Sequence, residues 1–308
     1  MKAAYISHPS SLEHEMGAHH PECPERSTAI ADRLLMRGVL DFVQAFDAPM
    51  ASDEQIIRAH SARYLAELRA AAPASGLHQV DPDTAMNPRT LHAALHAAGA
   101  GVLAVELVVR GEVGRAFCNV RPPGHHAERD QAMGFCFLNN VAIAVRHALD
   151  ALGLDRVAVV DFDVHHGNGT ENILAGDERV LMVSSFQSGL YPFNGEIAKG
   201  PNMCNVPLPA YSDGRALREA VQERWIPALL AFDPQLIVVS AGFDAHREDD
   251  MSQMGWTDED YEWLARRIVG IAEACCEGRV VSMLEGGYAI AALARCVETH
   301  VRILAGLD

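Results

Sequence analysis

The chain has 308 residues, of which 49% are hydrophobic, and its formal net charge at pH 7 is −16. This charge argues against nucleic acid as a partner, because phosphate binding needs clustered lysine and arginine. It suits cationic or weakly basic substrates, although an acidic surface that serves only solubility explains it equally well.

Targeting signals and cysteine usage point to the cytoplasm. No apolar run approaches ~20 residues, so no membrane span is expected. The first residues also lack the apolar segment of a signal peptide. The seven cysteines, an odd number found mostly in apolar segments, are typical of reduced thiols.

Apolar runs typical of buried strands alternate with helical patterns along the chain. Strands are predicted at 2–7, 115–120, 156–163, 179–185, 235–243 and 279–284. Helices are predicted at 90–110, 137–152, 213–232, 258–276 and 289–305, with N-caps at Asp213 and Thr257. The alternation predicts an α/β fold with a central parallel sheet and helices on both faces. No linker or repeat divides the chain, so residues 1–308 are expected to form a single domain.

The stretch that begins at Asp161 is the most informative part of the chain. On an extended backbone alternate residues share a face, so Asp161, Asp163 and His165 are expected to point the same way. They also lie at the carboxyl end of a strand, where open α/β sheets place their ligands. Buried carboxylates that face an imidazole are costly unless a cation lies between them. Oxygen and nitrogen ligands without a thiolate fit a catalytic zinc better than a structural one.

Asp244 ends another predicted strand and offers a third ligand. An aspartate after a strand is most often a helix N-cap. Here Asp163 and His165 already need a cation, and Asp244 ends a separate buried strand. The sequence therefore predicts a metal site formed by these three residues.

Two further strand ends carry groups suited to catalysis. His125 and His126 follow a Pro-Pro-Gly turn, and two adjacent imidazoles beside a metal site indicate general acid–base work. Each needs an orienting partner, for which Asp161 and Asn168 are the candidates. Tyr288 follows two glycines and is either a core residue or a hydroxyl donor to a developing oxyanion.

Six motifs in order along the chain resemble the histone deacetylase-like amidohydrolases of the arginase/deacetylase superfamily. They occupy residues 20–26, 121–126, 134–140, 161–170, 240–244 and 285–288. The form of the first and fourth motifs is similar to the class II and bacterial branch. The resemblance covers nearly the whole chain and implies the arginase/deacetylase-type fold.

The resemblance also implies a role for individual residues. One zinc ion would be held by Asp163, His165 and Asp244. General base and acid would be His126, paired with Asn168. His125, paired with Asp161, would assist through its charge, and Tyr288 would bind the oxyanion. The substrate tunnel would be lined by Gly134, Phe135, Tyr191, Met251, Gly286 and Gly287, with Arg26 in an exit channel. A potassium ion would be held by Asp161, Asp163, His165, Ser184 and Ser185.

Two departures from the family pattern affect the expected ligands. Phe186 stands where the family usually has a histidine, beside the expected potassium site. Met251 stands where a leucine is common and where polyamine-selective relatives place a glutamate, which favours acyl-lysine over polyamine. The acidic residues Glu248, Asp249 and Asp250 favour a polyamine instead, so the substrate stays open.

The predicted activity is zinc-dependent hydrolysis of an Nε-acyl-lysine amide or a related acylated amine. The alternatives are an acetylpolyamine amidohydrolase and a catalytically silent module that binds acyl-lysine or acetate. Retention of both histidines, the tyrosine and all three metal ligands argues against the silent module. Arginase-like di-manganese chemistry is not expected, because the extra ligands of a second metal are missing. The chain is a possible homo-oligomer.

Overall fold

The computed structural model describes residues 2–307, which contain ten strands. These are β1 (Ala3–Ser7), β2 (Val43–Asp47), β3 (His78–Asp81), β4 (Thr84–Met86), β5 (Arg115–Asn119), β6 (Val157–Asp161), β7 (Val180–Gln187), β8 (Met203–Leu208), β9 (Leu236–Ala241) and β10 (Val280–Leu284). Eight of them form one sheet in the order β2-β1-β5-β10-β9-β6-β7-β8. Every pair in this sheet is parallel. Strands β3 and β4 form a separate antiparallel hairpin.

All six strands predicted from apolar runs are present. Four strands were not predicted: β3 and β4 of the hairpin, and β2 and β8, which are the edge strands of the large sheet. Most residues of the edge strand β2 are exposed, and most of those of β8 are only partly buried. An edge strand with exposed positions has no continuous apolar run, which is the signal that identified the central strands.

Helices cover the sheet. They are α1 (Glu25–Met36), α2 (Asp53–Ile57), α3 (Ala62–Ala71), α4 (Thr90–Val109), α5 (Asn140–Asp150), α6 (Asn168–Leu174), α7 (Gly214–Ala220), α8 (Ile226–Phe232), α9 (Asp258–Cys275) and α10 (Ile290–Ala305). The predicted segment 213–232 holds both α7 and α8, joined through the π-helical turn Val221–Trp225. Helix α5 begins later than predicted because Asn139 caps it, accepting a hydrogen bond from the Ala142 amide at 2.9 Å.

The two predicted N-caps are present. The Asp213 carboxylate accepts a hydrogen bond from the Arg215 amide at 2.9 Å. At the start of α9, Thr257 and Asp260 form a capping box, in which the Thr257 amide donates to Asp260 Oδ2 at 2.8 Å. These contacts place the first turns of α7 and α9 where the sequence located them.

Two apolar layers hold the helices against the sheet. In β6, Val157 and Val159 point into the layer that contains α4 and α5, while Ala158 and Val160 point into the layer that contains α1, α9 and α10. Both faces of the strand are therefore buried, as in other parallel sheets. The predicted α/β class, with a central parallel sheet and helices on both faces, is confirmed.

Helix α4 corrects the expectation that no apolar run approaches the length of a membrane span. Its 20 residues, Thr90–Val109, are long and apolar enough to cross a membrane by length and composition alone. In the fold 72% of the relevant window is buried, and the helix packs against α5 and the sheet. Its alanines and glycines allow this close packing, so the apolar composition of α4 is explained by its burial in the protein core.

Candidate active site

Four neighbouring strands in the middle of the sheet deliver the predicted site residues. Strands β5, β10, β9 and β6 are adjacent in that order, and the chain leaves each of them at the same edge because they are parallel. The loops that follow carry the histidine pair, the tyrosine and the metal ligands. Residues distant in the sequence therefore meet at one edge of the sheet.

The three predicted metal ligands converge. One ligand atom from each of Asp163, His165 and Asp244 lies within 4.8 Å of the others, and all three residues are buried. His165 Nδ1 is 3.1 Å from Asp163 Oδ1 and 3.2 Å from Asp244 Oδ2. Asp244 Oδ2 is buried and accepts no hydrogen bond from the residues that the structure describes. A buried, unsatisfied carboxylate oxygen beside two other hard donors fits a divalent cation such as zinc.

Asp161 lies beside the ligand set, at the end of β6. Its Oδ2 is 3.2 Å from His125 Nδ1, and Asp163 Oδ2 is 3.8 Å from His125 Nε2, so both carboxylates contact the same imidazole. Asp163 and His165 meet because the Asp163 carboxylate accepts the His165 amide hydrogen at 2.9 Å, which closes a tight turn.

Without a bound cation, the two carboxylates of the ligand set repel one another. Burial and the neighbouring Asp163 carboxylate raise the pKa of Asp244 to about 6. Burial opposes the charge of His165, but its contacts with Asp163 and Asp244 raise the pKa of the imidazole to about 10. A divalent cation among these ligands removes the repulsion between the two carboxylates.

The two histidines have the partners that the resemblance implied. His125 Nδ1 lies 3.2 Å from Asp161 Oδ2, and His126 Nδ1 lies 2.7 Å from Asn168 Oδ1. The Asn168 amide group donates to Glu128 at 2.9 Å, which fixes its carbonyl oxygen toward His126. A carbonyl oxygen only accepts, so His126 carries its proton on Nδ1 and keeps a free lone pair on Nε2.

Opposite charge environments surround the two imidazoles. Burial disfavours the charged form of His125, but the carboxylates of Asp163 and Asp161 raise its pKa to about 10. Burial lowers the pKa of His126 well below its usual value, and the charges of His125 and His165 lower it further. His126 is therefore the neutral imidazole of the pair and the one able to accept a proton.

Glu285 holds the histidine turn in place. Its carboxylate accepts hydrogen bonds from the amides of Gly124 and His125, at 2.7 and 3.1 Å. Burial raises its pKa to about 7. Sequence reasoning treated Glu285 only as part of a turn motif, because nothing in the local pattern shows that this carboxylate faces a loop from another strand.

Tyr288 lies at the end of a loop that needs its glycines. Gly287 has φ +118°, a region that side-chain-bearing residues rarely adopt. The Gly286 amide donates to Asp163 Oδ2 at 2.8 Å, which ties the loop to the metal ligands. The Arg26 guanidinium lies over the Tyr288 ring, 4.9 Å from its centroid. Burial raises the pKa of the phenol, so Tyr288 is a neutral hydroxyl donor.

A cavity of about 140 Å³ leads from the surface to these groups. It is lined by Asp83, His126, Gly134, Phe135, His165, Tyr191, Met251 and Tyr288. Four predicted tunnel residues are therefore in its wall. A Cβ on Gly134 would lie 2.5 Å from the His126 ring, so only glycine allows this approach.

The remaining predicted tunnel and channel residues lie behind the cavity. Gly286 and Gly287 are not among the described residues that line it. A Cβ on Gly286 would lie 2.1 Å from Asp244 Oδ2, which places this glycine against the metal ligands. Arg26 is fully buried on α1 and donates to the Gly287 carbonyl at 2.6 Å and to the Glu285 carbonyl. Its place in an exit channel stays a prediction.

The predicted potassium residues lie together at the end of β6 and in β7. Ser184 is hydrogen-bonded in the sheet beside Asp161, and its hydroxyl is 3.4 Å from Asn205 Oδ1. The Ser185 hydroxyl is buried and has no hydrogen-bond partner within residues 2–307. Phe186, at the family's usual histidine position, packs its ring 4.7 Å from that of His166. Occupancy by potassium stays a prediction.

Asp83 and Glu128 are site residues that sequence reasoning missed. Asp83 belongs to the turn between β3 and β4 and lines the cavity. Glu128 orients Asn168. Both lie in short polar segments that have the composition of surface turns, so only the folded arrangement shows that they reach the site.

A second group of metal-type side chains, His246, Asp258 and Cys296, is a hydrogen-bond network. The Glu248 amide donates to His246 Nδ1 at 3.2 Å, so the ring proton lies on Nε2 and is donated to Asp258 at 2.9 Å. Arg295 balances the charge of Asp258 at 2.8 Å. The imidazole has no free lone pair for a cation.

Comparison with known proteins assigns the chain to a family. The profile described as "Histone deacetylase domain" matches residues 20–304. The chain belongs to the histone deacetylase family. Its structure is similar to the HD domain of HDA15, with a TM-score of 0.91 and 29% identity over 99% of this chain and 90% of that one. The arginase/deacetylase-type fold expected from the motifs is thereby confirmed.

Curated relatives of this deacetylase-family chain come from different domains of life. It is 37% identical to a histone deacetylase-like amidohydrolase of Pseudomonas aeruginosa, covering 94% of this chain and 78% of the relative. A probable deacetylase of Archaeoglobus fulgidus is 35% identical over 94% of this chain and 82% of its own length. Human polyamine deacetylase HDAC10 is 35% identical, and 99% of this chain matches 48% of that protein. Membership supports amide hydrolysis as the general activity.

Proposed function

We propose that this protein is a zinc-dependent deacylase that hydrolyses the amide bond of Nε-acyl-lysine or of a related acylated amine. One observation carries the proposal: His126 and Tyr288 face the same cavity as the ligand His165. A cation ligand, a proton acceptor and a hydroxyl donor are thus brought together around one reacting carbonyl.

Zinc held by Asp163, His165 and Asp244 would polarise the substrate carbonyl and lower the pKa of a bound water to about 7. The protein's own groups move the protons. His126 Nε2 has a free lone pair and accepts the water proton, while the Asn168 carbonyl holds Nδ1–H in place. A histidine of the pair then protonates the leaving amine, which allows the C–N bond to break.

Two further groups act on charge that develops during the reaction. The neutral Tyr288 hydroxyl donates a hydrogen bond to the oxygen of the reacting carbonyl as it becomes an oxyanion. His125, charged beside Asp161, adds a fixed positive charge near the same point. Both interactions are stronger in the transition state than in the ground state, so they raise kcat.

The cavity wall suits a linear acyl-lysine side chain. Phe135 and Tyr191 supply aromatic surface, and the Tyr191 ring centroid lies 5.2 Å from that of His126. Apolar walls favour a methylene chain, and the polar groups at the inner end receive the amide. Met251, at the mouth, adds apolar surface and carries no charge that would select a cationic amine.

Acetylpolyamine hydrolysis is the second candidate, and Asp83 favours it. This carboxylate lies in the cavity wall, where it would attract the secondary ammonium groups of a polyamine. One relative bears the name polyamine deacetylase. Asp83 would also accept the backbone amide hydrogens of an acyl-lysine peptide, so only measured selectivity separates the two substrates.

Turnover of an acetyl-lysine peptide and of acetylspermidine, with and without a chelator, tests these proposals. We expect chelator-sensitive hydrolysis with a higher kcat/KM for the peptide. The Asp83→Asn variant should lower kcat/KM for the preferred substrate, whereas Asp41→Asn, at an exposed aspartate that does not line the cavity, should not change it. Preference for acetylspermidine would establish the second candidate, and the absence of turnover with zinc bound would leave a binding module.

We also propose that potassium binds near Asp161, Asp163, His165, Ser184 and Ser185, and that the protein is cytoplasmic. The unpartnered Ser185 hydroxyl supports the first proposal. All seven cysteines are free, as a reducing compartment requires, which supports the second.

A further inference from the structure

We infer that Asp249 is a positioning residue that fixes Tyr288 in its catalytic place. The inference rests on the function proposed above, in which Tyr288 donates to the oxyanion. Asp249 lies in the loop that follows Asp244 and precedes α9, and it is only 5% exposed. A buried carboxylate needs several hydrogen-bond donors, and those of Asp249 belong to the walls of the site.

Two of the donors are consecutive amides at the end of the glycine loop. The Tyr288 amide donates to Asp249 Oδ2 at 2.6 Å, and the Ala289 amide donates to the same oxygen at 2.9 Å. Both donors lie directly before α10. The carboxylate thus binds the backbone of Tyr288 itself and not merely its neighbourhood.

This contact supplies what the local sequence lacks. Two glycines precede Tyr288 and leave the backbone free to adopt many conformations. The N-cap position of α10 is Ala289, which has no side-chain acceptor. Asp249 provides the missing acceptor from another loop, and its negative charge suits the positive end of the helix.

The same carboxylate also holds a second residue of the cavity wall. Asp249 Oδ1 accepts the Met251 amide hydrogen at 3.0 Å. Both Met251 and Tyr288 line the cavity. One buried side chain therefore connects the backbones of Met251 and Tyr288, two residues of the cavity wall.

Backbone amide exchange tests the contact without reference to activity. In Asp249→Ala, the amides of Tyr288 and Ala289 should exchange faster with solvent, while zinc content stays that of the wild type. Asp249→Asn, which retains one carbonyl acceptor, should show a smaller increase. Asp250→Ala is the matched control, because Asp250 is exposed and forms no hydrogen bond or ion pair within residues 2–307.

A double-mutant cycle tests whether the contact acts through Tyr288. We expect Asp249→Ala to lower kcat by about 10- to 100-fold, since small misplacements of a catalytic group have effects of this size. In a Tyr288→Phe background the same change should have little further effect on kcat. Asp249→Asn should lower kcat less than Asp249→Ala does. If the alanine variant does not fold, the asparagine variant is used for both the exchange experiment and the double-mutant cycle.

The outcomes separate this inference from the proposed function. Unchanged exchange at both amides, or an equal fold-loss of kcat in the two backgrounds, would overturn the positioning role alone. Wild-type turnover by Tyr288→Phe would instead overturn the oxyanion role on which the inference depends. Faster exchange together with loss of kcat only when Tyr288 is present would support both.

Discussion

At the residue scale, the Asn168 carboxamide decides which nitrogen of His126 is available for chemistry. Its carbonyl oxygen faces His126 because its amide group is held by Glu128. The proton therefore stays on Nδ1, and Nε2 is free to accept another. A single hydrogen bond between a loop histidine and the first residue of α6 sets the chemical role of the imidazole.

This arrangement predicts the pH dependence of the enzyme. Activity requires neutral His126, so it falls when the pH drops below the pKa of that imidazole. Asn168→Asp places a negative charge at Nδ1, which stabilises the imidazolium and raises the pKa. The acidic limb of the kcat/KM profile should shift to higher pH, and an unmoved profile would contradict the assignment.

The two histidines are expected to differ when each is removed. His126→Ala deletes the proton acceptor and should lower kcat by about 10²–10⁴-fold. His125→Ala deletes a charge and should be less damaging, with zinc retained in both variants. Steady-state kinetics with metal analysis checks this, and a greater loss in His125→Ala would reverse the roles.

Tyr288→Phe isolates the hydroxyl group. The change removes one donor and little volume, so folding and zinc content should persist. Loss of one oxyanion donor typically lowers kcat by about 10²–10³-fold. Kinetics on an acetyl-lysine peptide measures this effect, and an unchanged rate would place Tyr288 outside the reaction.

At the element scale, helix packing depends on where a glycine lies. In α4, a Cβ on Gly99 would lie 1.9 Å from the Pro49 carbonyl oxygen, so the helix contacts the loop after β2 through bare backbone. In α9, a Cβ on Gly270 meets nothing within 4 Å. The same substitution is therefore expected to have opposite effects in the two helices.

Thermal or denaturant unfolding of the two alanine variants tests this contrast. Gly99→Ala should lower the free energy of unfolding by about 1–3 kcal/mol or more, because backbone must move. Gly270→Ala should raise it by up to about 1 kcal/mol, because alanine favours helix more than glycine does. Equal effects in both variants would contradict the packing described for α4.

At the scale of the whole molecule, the sheet brings together two buried carboxylates whose mutual repulsion a bound divalent cation would remove. Asp163 and Asp244 lie in loops that follow different strands, yet both are buried beside His165. Folding therefore brings two carboxylates together at a cost, and a bound cation offsets it. Metal binding and folding stability are expected to be linked.

Zinc should therefore stabilise the fold. A ligand at 100 times its Kd adds about 2.7 kcal/mol to the free energy of unfolding. Zinc should raise the Tm of the chelator-treated protein, and dialysed protein should retain about one zinc equivalent. The Asp163→Ala and Asp244→Ala variants should neither gain Tm with zinc nor retain zinc on dialysis, whereas Asp250→Ala should do both. Full zinc retention in both ligand variants would contradict the proposed site.

The central strands and the polar residues at their ends could be read from the sequence. Buried parallel strands are continuous apolar runs, and parallel strands bring their carboxyl ends to one edge. The motifs therefore predicted the metal ligands, the histidine pair and the tyrosine as one group. These features depend on residues close together in the chain, where spacing is informative.

Only the tertiary structure decided the contacts between distant segments. The edge strands β2 and β8, the cavity residue Asp83, the half-buried Glu128 and the buried Asp249 have no distinctive local pattern. Each gains its role from a loop or strand far away in the sequence. The sequence by itself determined that the metal ligands, the histidine pair and the tyrosine lie at one edge of the sheet. Burial and hydrogen bonding are properties of the packed chain, so only the fold determined how these side chains are oriented and which distant residues hold them.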